Sequence, residues 1–184
     1  IDLSGTLDTR MSSHNNALNF SHSKKLPLSG TKCYSMAVNG KNVDLPVLHI
    51  NQKNETKVVE VSEIVYLGDV FNNKGNNDGL VKDRLKRGTK ATISITSILI
   101  ESELGYYHIP VALLLYQSLF ISTVLFNSQA WSNLRKKDID QLSTMQSKFL
   151  KRIAGVAYST CTSFIYLELG VMPVKYEIHR KQLS

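Results

Sequence analysis

The sequence predicts an α+β protein, with a small antiparallel β module over residues 1–78 followed by an α-helical bundle of three to five helices over residues 79–184. Three observations carry that prediction. Cys33 to Val38 alternates roughly in twos and the valines and Ile64 of 57–67 suit strand, apolar residues recur at steps of three and four beyond residue 80, and a polar loop at 72–79 separates the two patterns. With 42% hydrophobic and 20% charged side chains in 184 residues, the chain has the composition of a protein that folds around a core.

Residues 11–26, with Ala17, Leu18, Phe20 and Leu26 among polar neighbours, read as a weakly amphipathic helix ending before Pro27. From Cys33 to Val38 the pattern becomes strand-like. Asn39-Gly40 follows, the pair that best tolerates the positive φ angles of a type I′ turn, so a hairpin is expected there. Its return strand falls at 43–50, with Pro46 placing it on an edge because proline donates no ladder hydrogen bond. After the polar residues 51–55, the valines and Ile64 of 57–67 mark more strand. Gly68 and the loop 72–79 break the pattern.

Val81, Leu85, Gly88, Thr92, Ile95 and Leu99 then form the apolar stripe of a helix. Lys82, Lys86 and Lys90 form a row on a neighbouring face, with Arg84 and Arg87 on another side. Ile109-Pro110 opens the next helix, apolar nearly all round to about Trp131, with proline in the first turn where its missing N–H costs nothing. Ile139, Leu142, Met145, Phe149, Leu150 and Ile153 define a third helix stopped near Gly155. A short helix over 163–169 ends at Gly170, and Pro173 starts a last one through Lys181.

The formal charge is +7, and it is unevenly distributed: residues 1–78 hold 8 basic and 8 acidic residues, residues 79–184 hold 14 and 7. A localised excess of this kind is the footprint of a phosphate-rich partner, though an anionic membrane surface attracts it equally. Cys33 and Cys161 stand far apart without a metal-ligand spacing, which argues against structural zinc or a disulfide framework and predicts small buried or half-buried residues. The opening Ile1-Asp2-Leu3, with neither initiator methionine nor leader pattern, reads as a chain cut from something longer. Between Glu103 and Arg135 no Asp, Glu, Lys or Arg occurs, and 109–126 is long enough to cross a bilayer, with Arg135-Lys136-Lys137 as a basic flank. Gln117, Ser118, Ser122 and Thr123, together with amphipathic helices on either side that need a partner, favour a buried core helix instead.

No HExxH, GxSxG or Walker loop occurs, and the five histidines are scattered, so the residues alone define no catalytic site. Three stretches in order nevertheless resemble one family. Ile1-Asp2-Leu3-Ser4-Gly5 looks like the tail of a palm aspartate motif; Lys25-Leu26-Pro27-Leu28 running into Gly30-Thr31-Lys32-Cys33 resembles the following palm motif; Ile64-Val65-Tyr66-Leu67-Gly68 resembles a primer grip. With the helices that follow, including 149–155 and 166–170, essentially the whole chain resembles the C-terminal part (end of palm, primer grip and thumb) of a non-LTR (LINE-type) retrotransposon reverse transcriptase.

That resemblance implies a fragment of an RNA-directed DNA polymerase that retains template–primer binding. Asp2 would be a remnant catalytic and metal-binding carboxylate, and Lys32 would lie near the departing pyrophosphate. Tyr66, Leu67 and Gly68 would form the grip. Lys82, Arg84, Lys86, Arg87 and Lys90 would meet the phosphates of an RNA–DNA or DNA duplex. A second cluster, Lys148, Lys151 and Arg152, ends a helix and serves its dipole at least as well. The intact enzyme uses Mg2+ ions, whereas this chain has the match for one aspartate only, Ile1 standing where its partner would be; it is expected to need no cofactor alone and to be inactive unless an intact polymerase chain supplies the rest. The competing expectation is a membrane-associated or protein-interaction module centred on 109–126, and no membrane is favoured.

Overall fold

The computed structural model describes residues 7–26, 29, 32–38, 58–102, 108–131 and 134–183. The expected Asn39-Gly40 hairpin, its return strand at 43–50 and the loop at 51–55 lie outside the described residues. The architecture is mixed α+β and mostly helical, with a few short strands. Contacts divide it into two compact units, Ile1–Gly75 and Asn76–Ser184.

In the first unit, α1 (Leu7–Ser23) begins and ends earlier than the sequence pattern suggested. It stops where Lys25 takes a positive φ of 54° and the Leu26 N–H donates to the Ser21 carbonyl at 2.9 Å. Strand β1 is only Tyr34–Ser35, and it pairs in parallel with β2 (Val59–Glu60), which corrects the expectation of a purely antiparallel module. The strand residues expected over 57–67 fall in two strands. After β2 the Val61 N–H still donates to the Ser35 carbonyl, the chain bends at Ser62, and β3 (Glu63–Tyr66) turns to pair antiparallel with β4 (Asp69–Asn72).

The second unit holds the core. Helix α2 (Asp78–Glu101) buries Leu80, Val81, Gly88, Ile95 and Leu99 along one side. Its second half, rich in threonine and isoleucine, has poor intrinsic helix propensity, so packing of that buried side holds it helical. Helix α3 (His108–Leu115) runs into a π turn (Tyr116–Ile121) and the short α4 (Ser122–Val124), then a 3-10 turn at Ser128–Ala130. The inward side of this apolar run, Ala112, Tyr116, Phe120, Ile121, Val124 and Leu125, is fully buried against α2 and α5. Its outward side is exposed, Leu114 at 68%. The Tyr116, Phe120 and Phe149 rings cluster with centroids 5.1–6.1 Å apart.

Helix α5 (Lys136–Ile153) presents Leu142, Phe149, Leu150 and Ile153 to that core. It ends in a Schellman motif in which Gly155 takes φ +65°, its N–H reaching the Arg152 carbonyl at 3.2 Å and the Val156 N–H the Lys151 carbonyl at 3.1 Å. Gly170 closes α6 (Thr162–Glu168) in the same way. Helix α7 (Val174–Leu183) packs Val174 and Ile178 inward, and its Gln182 amide donates to the Trp131 carbonyl at 2.7 Å. At Gly88 the side chains of α4 and α5 lie close against α2: a Cβ there would be 2.8 Å from Val124 Cγ2 and 2.6 Å from Met145 Cε.

Candidate nucleic-acid interface

Lys82, Lys86 and Lys90 are all exposed on α2, one turn apart, opposite the buried stripe. Four residues advance a helix by about 6 Å, so the ammonium groups form a line of evenly spaced cations on a rigid rod. The two arginines expected beside them behave differently. Arg87 is half-exposed and pairs with Asp83 at 2.7 Å, the usual i,i+4 arrangement. Arg84 is 1% exposed, its guanidinium stacked over Phe126 (5.3 Å) and Trp131 (6.0 Å). Its position, three residues after Val81 and four before Gly88, puts it inside the apolar stripe, so the assignment of Arg84 to phosphate contact is corrected: it is a core cation held on aromatic faces.

Several cations of the other clusters are held within the fold, while Lys148 and Arg152 are exposed. Lys151 is buried and its Nζ donates to the Tyr158 carbonyl at 2.8 Å, tying the loop after α5 to the helix. In the triplet Arg135-Lys136-Lys137, Arg135 binds the buried Asp138 through Nε at 3.0 Å and Nη2 at 3.1 Å, and also pairs with Asp78. Lys137 reaches Asp78 at 3.3 Å. The Arg135 hydrogen bond, with Lys137 beside it, holds the Asp78 carboxyl below its ordinary range. These pairs pin the start of α5 to the start of α2 and leave the lysine row as the exposed cationic line of α2.

In the first unit, β3 and β4 close through two residues, Leu67 (φ 49°) and Gly68 (φ 85°), with Tyr66 opposite Asp69. Two consecutive positive φ angles make this a type I′ turn, for which glycine suits the second position and leucine is a poor choice for the first. Leu67 is moreover 72% exposed, and Val65, Tyr66 and Phe71 are exposed as well. Neither backbone conformation nor solvation accounts for leucine at that tip. Lys32 is exposed, its N–H donating to the Ser29 carbonyl at 3.1 Å. Asp2 lies outside the described residues. Among the described residues, no group of three or more His, Cys, Asp or Glu gathers.

Sequence reasoning missed a polar residue that joins four partners. Gln146 is fully buried on α5, donating to the Tyr116 hydroxyl (2.7 Å) and the Met172 carbonyl (2.9 Å) and accepting from the Tyr166 hydroxyl (2.8 Å) and the Val174 N–H (2.8 Å). All four of its hydrogen-bonding positions are used. Its place between Leu142 and Phe149, on the apolar side of the helix, was the available signal. Burial pushes the Tyr116 phenol well above its ordinary range and Tyr166 up to about 12. Cys161, expected at least half-buried, is exposed; the backbone N–H groups of Phe164 and Ser163 at the start of α6 hold its thiol below the ordinary value.

The structure defines the class as a mostly helical α+β protein. No family model matches the chain, and no curated protein or solved structure matches it.

Proposed function

We propose that this chain is the C-terminal part of a non-LTR retrotransposon reverse transcriptase, spanning the end of the palm, the primer grip and the thumb, and that it binds a template–primer duplex without reading its sequence. The observation that carries this reading is the line Lys82, Lys86, Lys90 on the outer side of a rigid 24-residue helix, free of the acidic partners that occupy Arg87 and Arg135. Phosphates are met by cations of this kind and carry no sequence information. The type I′ hairpin with exposed Tyr66 and Leu67 supports a grip that presses on a primer end. Polymerisation requires a second chain, an intact polymerase with its full set of aspartates and Mg2+.

Three phosphate contacts imply a log–log salt dependence of affinity with slope about −3 on a duplex, shallower than the five cations of the sequence expectation would give. Fluorescence anisotropy of a labelled RNA–DNA hybrid at a series of low salt concentrations tests this. Each lysine changed to alanine should reduce the slope by about one, whereas absence of binding by a folded protein refutes the proposal. A second reading, a membrane-associated or interaction module, is favoured by the exposed Ile109, Leu114 and Leu119 and by a run at His108–Ala130 with mean hydropathy 2.0. The burial of its other side in the core weighs against a span.

A further inference from the structure

On α2, Lys86, Lys90, Ile93, Ser97 and Ile100 follow one another at steps of four, three, four and three. Such steps keep residues on one side of a helix, and they are the spacing by which two helices pack along a seam. All five are exposed, Ile93 at 58% and Ile100 at 75%, so the seam is open to solvent. At about 100° per residue, the exposed Glu101 lies roughly 20° from Lys90 on the same flank. One face of the helix therefore carries cations in its first half, isoleucines on either side of a small serine in its second, and a carboxylate at its end. The outward isoleucines serve neither the core, which the opposite side of α2 fills, nor the phosphate contacts of the lysines.

We propose that this seam pairs two copies of the chain, α2 against α2 of the second copy, antiparallel about a two-fold axis at the level of Ile95. The order of charges along the helix selects that arrangement. A parallel pair sets Lys86 and Lys90 against their own counterparts, like charge facing like, whereas an antiparallel pair sets the cationic half of each helix against the acidic end of the other. With the axis at Ile95, Ile93 meets Ser97 of the second copy, where a small side chain leaves room for a branched one. Ile100 meets Lys90 of the second copy, whose aliphatic stem covers the isoleucine while its ammonium reaches Glu101 beside it. Each contact occurs twice by symmetry, the self-complementarity that an isologous interface requires. Lys82 and Lys86 fall past the end of the opposing helix and stay available to phosphates, so the pairing goes beyond the duplex-binding reading and is compatible with it.

Sedimentation velocity of the whole chain over a concentration series, without nucleic acid, tests this, with circular dichroism as the control for folding. An interface of about three helical turns predicts a dimer with a dissociation constant on the order of 10–100 μM. The double variant Ile93→Ser, Ile100→Ser should weaken it by more than about 10-fold. Glu101→Lys alone and Lys90→Glu alone each set like charges together and should weaken it by about 10-fold, and the two combined should restore it. All four positions are exposed, so these changes leave the core in place. A folded chain that stays monomeric well above that concentration range overturns the proposal, and so does a dimer that is indifferent to the isoleucine pair or is not rescued by the charge exchange. Association seen only once an RNA–DNA hybrid is added would assign the contact to bridging by the duplex and overturn the proposal as well, while leaving the duplex reading to its own salt slope.

Discussion

Gln146→Leu should be among the most damaging single substitutions in the helical unit. The side chain joins the π turn through Tyr116, α6 through Tyr166, the loop through Met172 and the first turn of α7 through Val174. Leucine is close in volume and suits the helix, so cavity formation is minor and the loss is one of hydrogen bonds. Four bonds at about 1 kcal/mol each give roughly 4 kcal/mol, and the stranded Val174 N–H and Met172 carbonyl add desolvation cost. Burial of the leucine side chain offsets about 2 kcal/mol, leaving a net destabilisation of about 3–4 kcal/mol. That is a large fraction of the 5–15 kcal/mol typical of a domain. Urea denaturation followed by circular dichroism measures it as a lower midpoint at unchanged slope. A double-mutant cycle with Tyr166→Phe then isolates one arm, for which a coupling of about 1 kcal/mol is expected. A loss below about 1 kcal/mol for Gln146→Leu, or no coupling to Tyr166, would mean that the network does not hold these elements together.

Gly88→Ala should destabilise by about 1–2 kcal/mol despite alanine's better helix propensity, because the methyl meets the branched Val124 side chain as well as the yielding Met145; a higher melting temperature would contradict that packing. Arg84→Lys should lose about 1–2 kcal/mol with no change in the salt slope of nucleic-acid binding, since lysine does not replace a guanidinium stacked on Phe126 and Trp131; a slope reduced by one would return Arg84 to the phosphate contacts. Tyr116 and Tyr166 have folded values raised above the unfolded value of 10.0, so their contribution is complete below pH 10 and is lost as pH rises through about 12, which predicts alkaline unfolding that follows tyrosinate absorbance; ionisation of both phenols near pH 10 without loss of structure would refute it. Leu67→Asn should stabilise the hairpin by about 1 kcal/mol, since asparagine tolerates a left-handed backbone, while weakening primer–template binding; unchanged affinity would remove the grip role.

The helical half of the molecule was legible in the residues because its signals are local. The stripe from Val81 to Leu99, the stops at Gly155 and Gly170 and the start at Pro173 all lie within a few residues of the ends they define, and the structure puts helix boundaries close to each. The valines and Ile64 of 57–67 marked strand residues but left open which strands they would meet. Pairing is decided by partners distant in sequence, and here the bend at Ser62 sends β2 to a parallel partner and β3 to an antiparallel one. The turn at Leu67-Gly68 was obscured because leucine violates the usual residue preference at its first position.

The lysine row was determined by the sequence alone, since three residues four apart on one helix share a face in any fold that keeps the helix. Whether a given cation belongs to that face or to the core was a tertiary decision. Arg84 is chemically as fit for a phosphate as its neighbours, yet Phe126 and Trp131, more than forty residues away in the chain, fold over it and enclose its charge. Gln146 lies likewise on an apolar stripe that periodicity could describe only as a polar exception. Four partners brought together from the π turn, α6, the loop before α7 and α7 itself make its burial favourable, and only the packed structure supplies them.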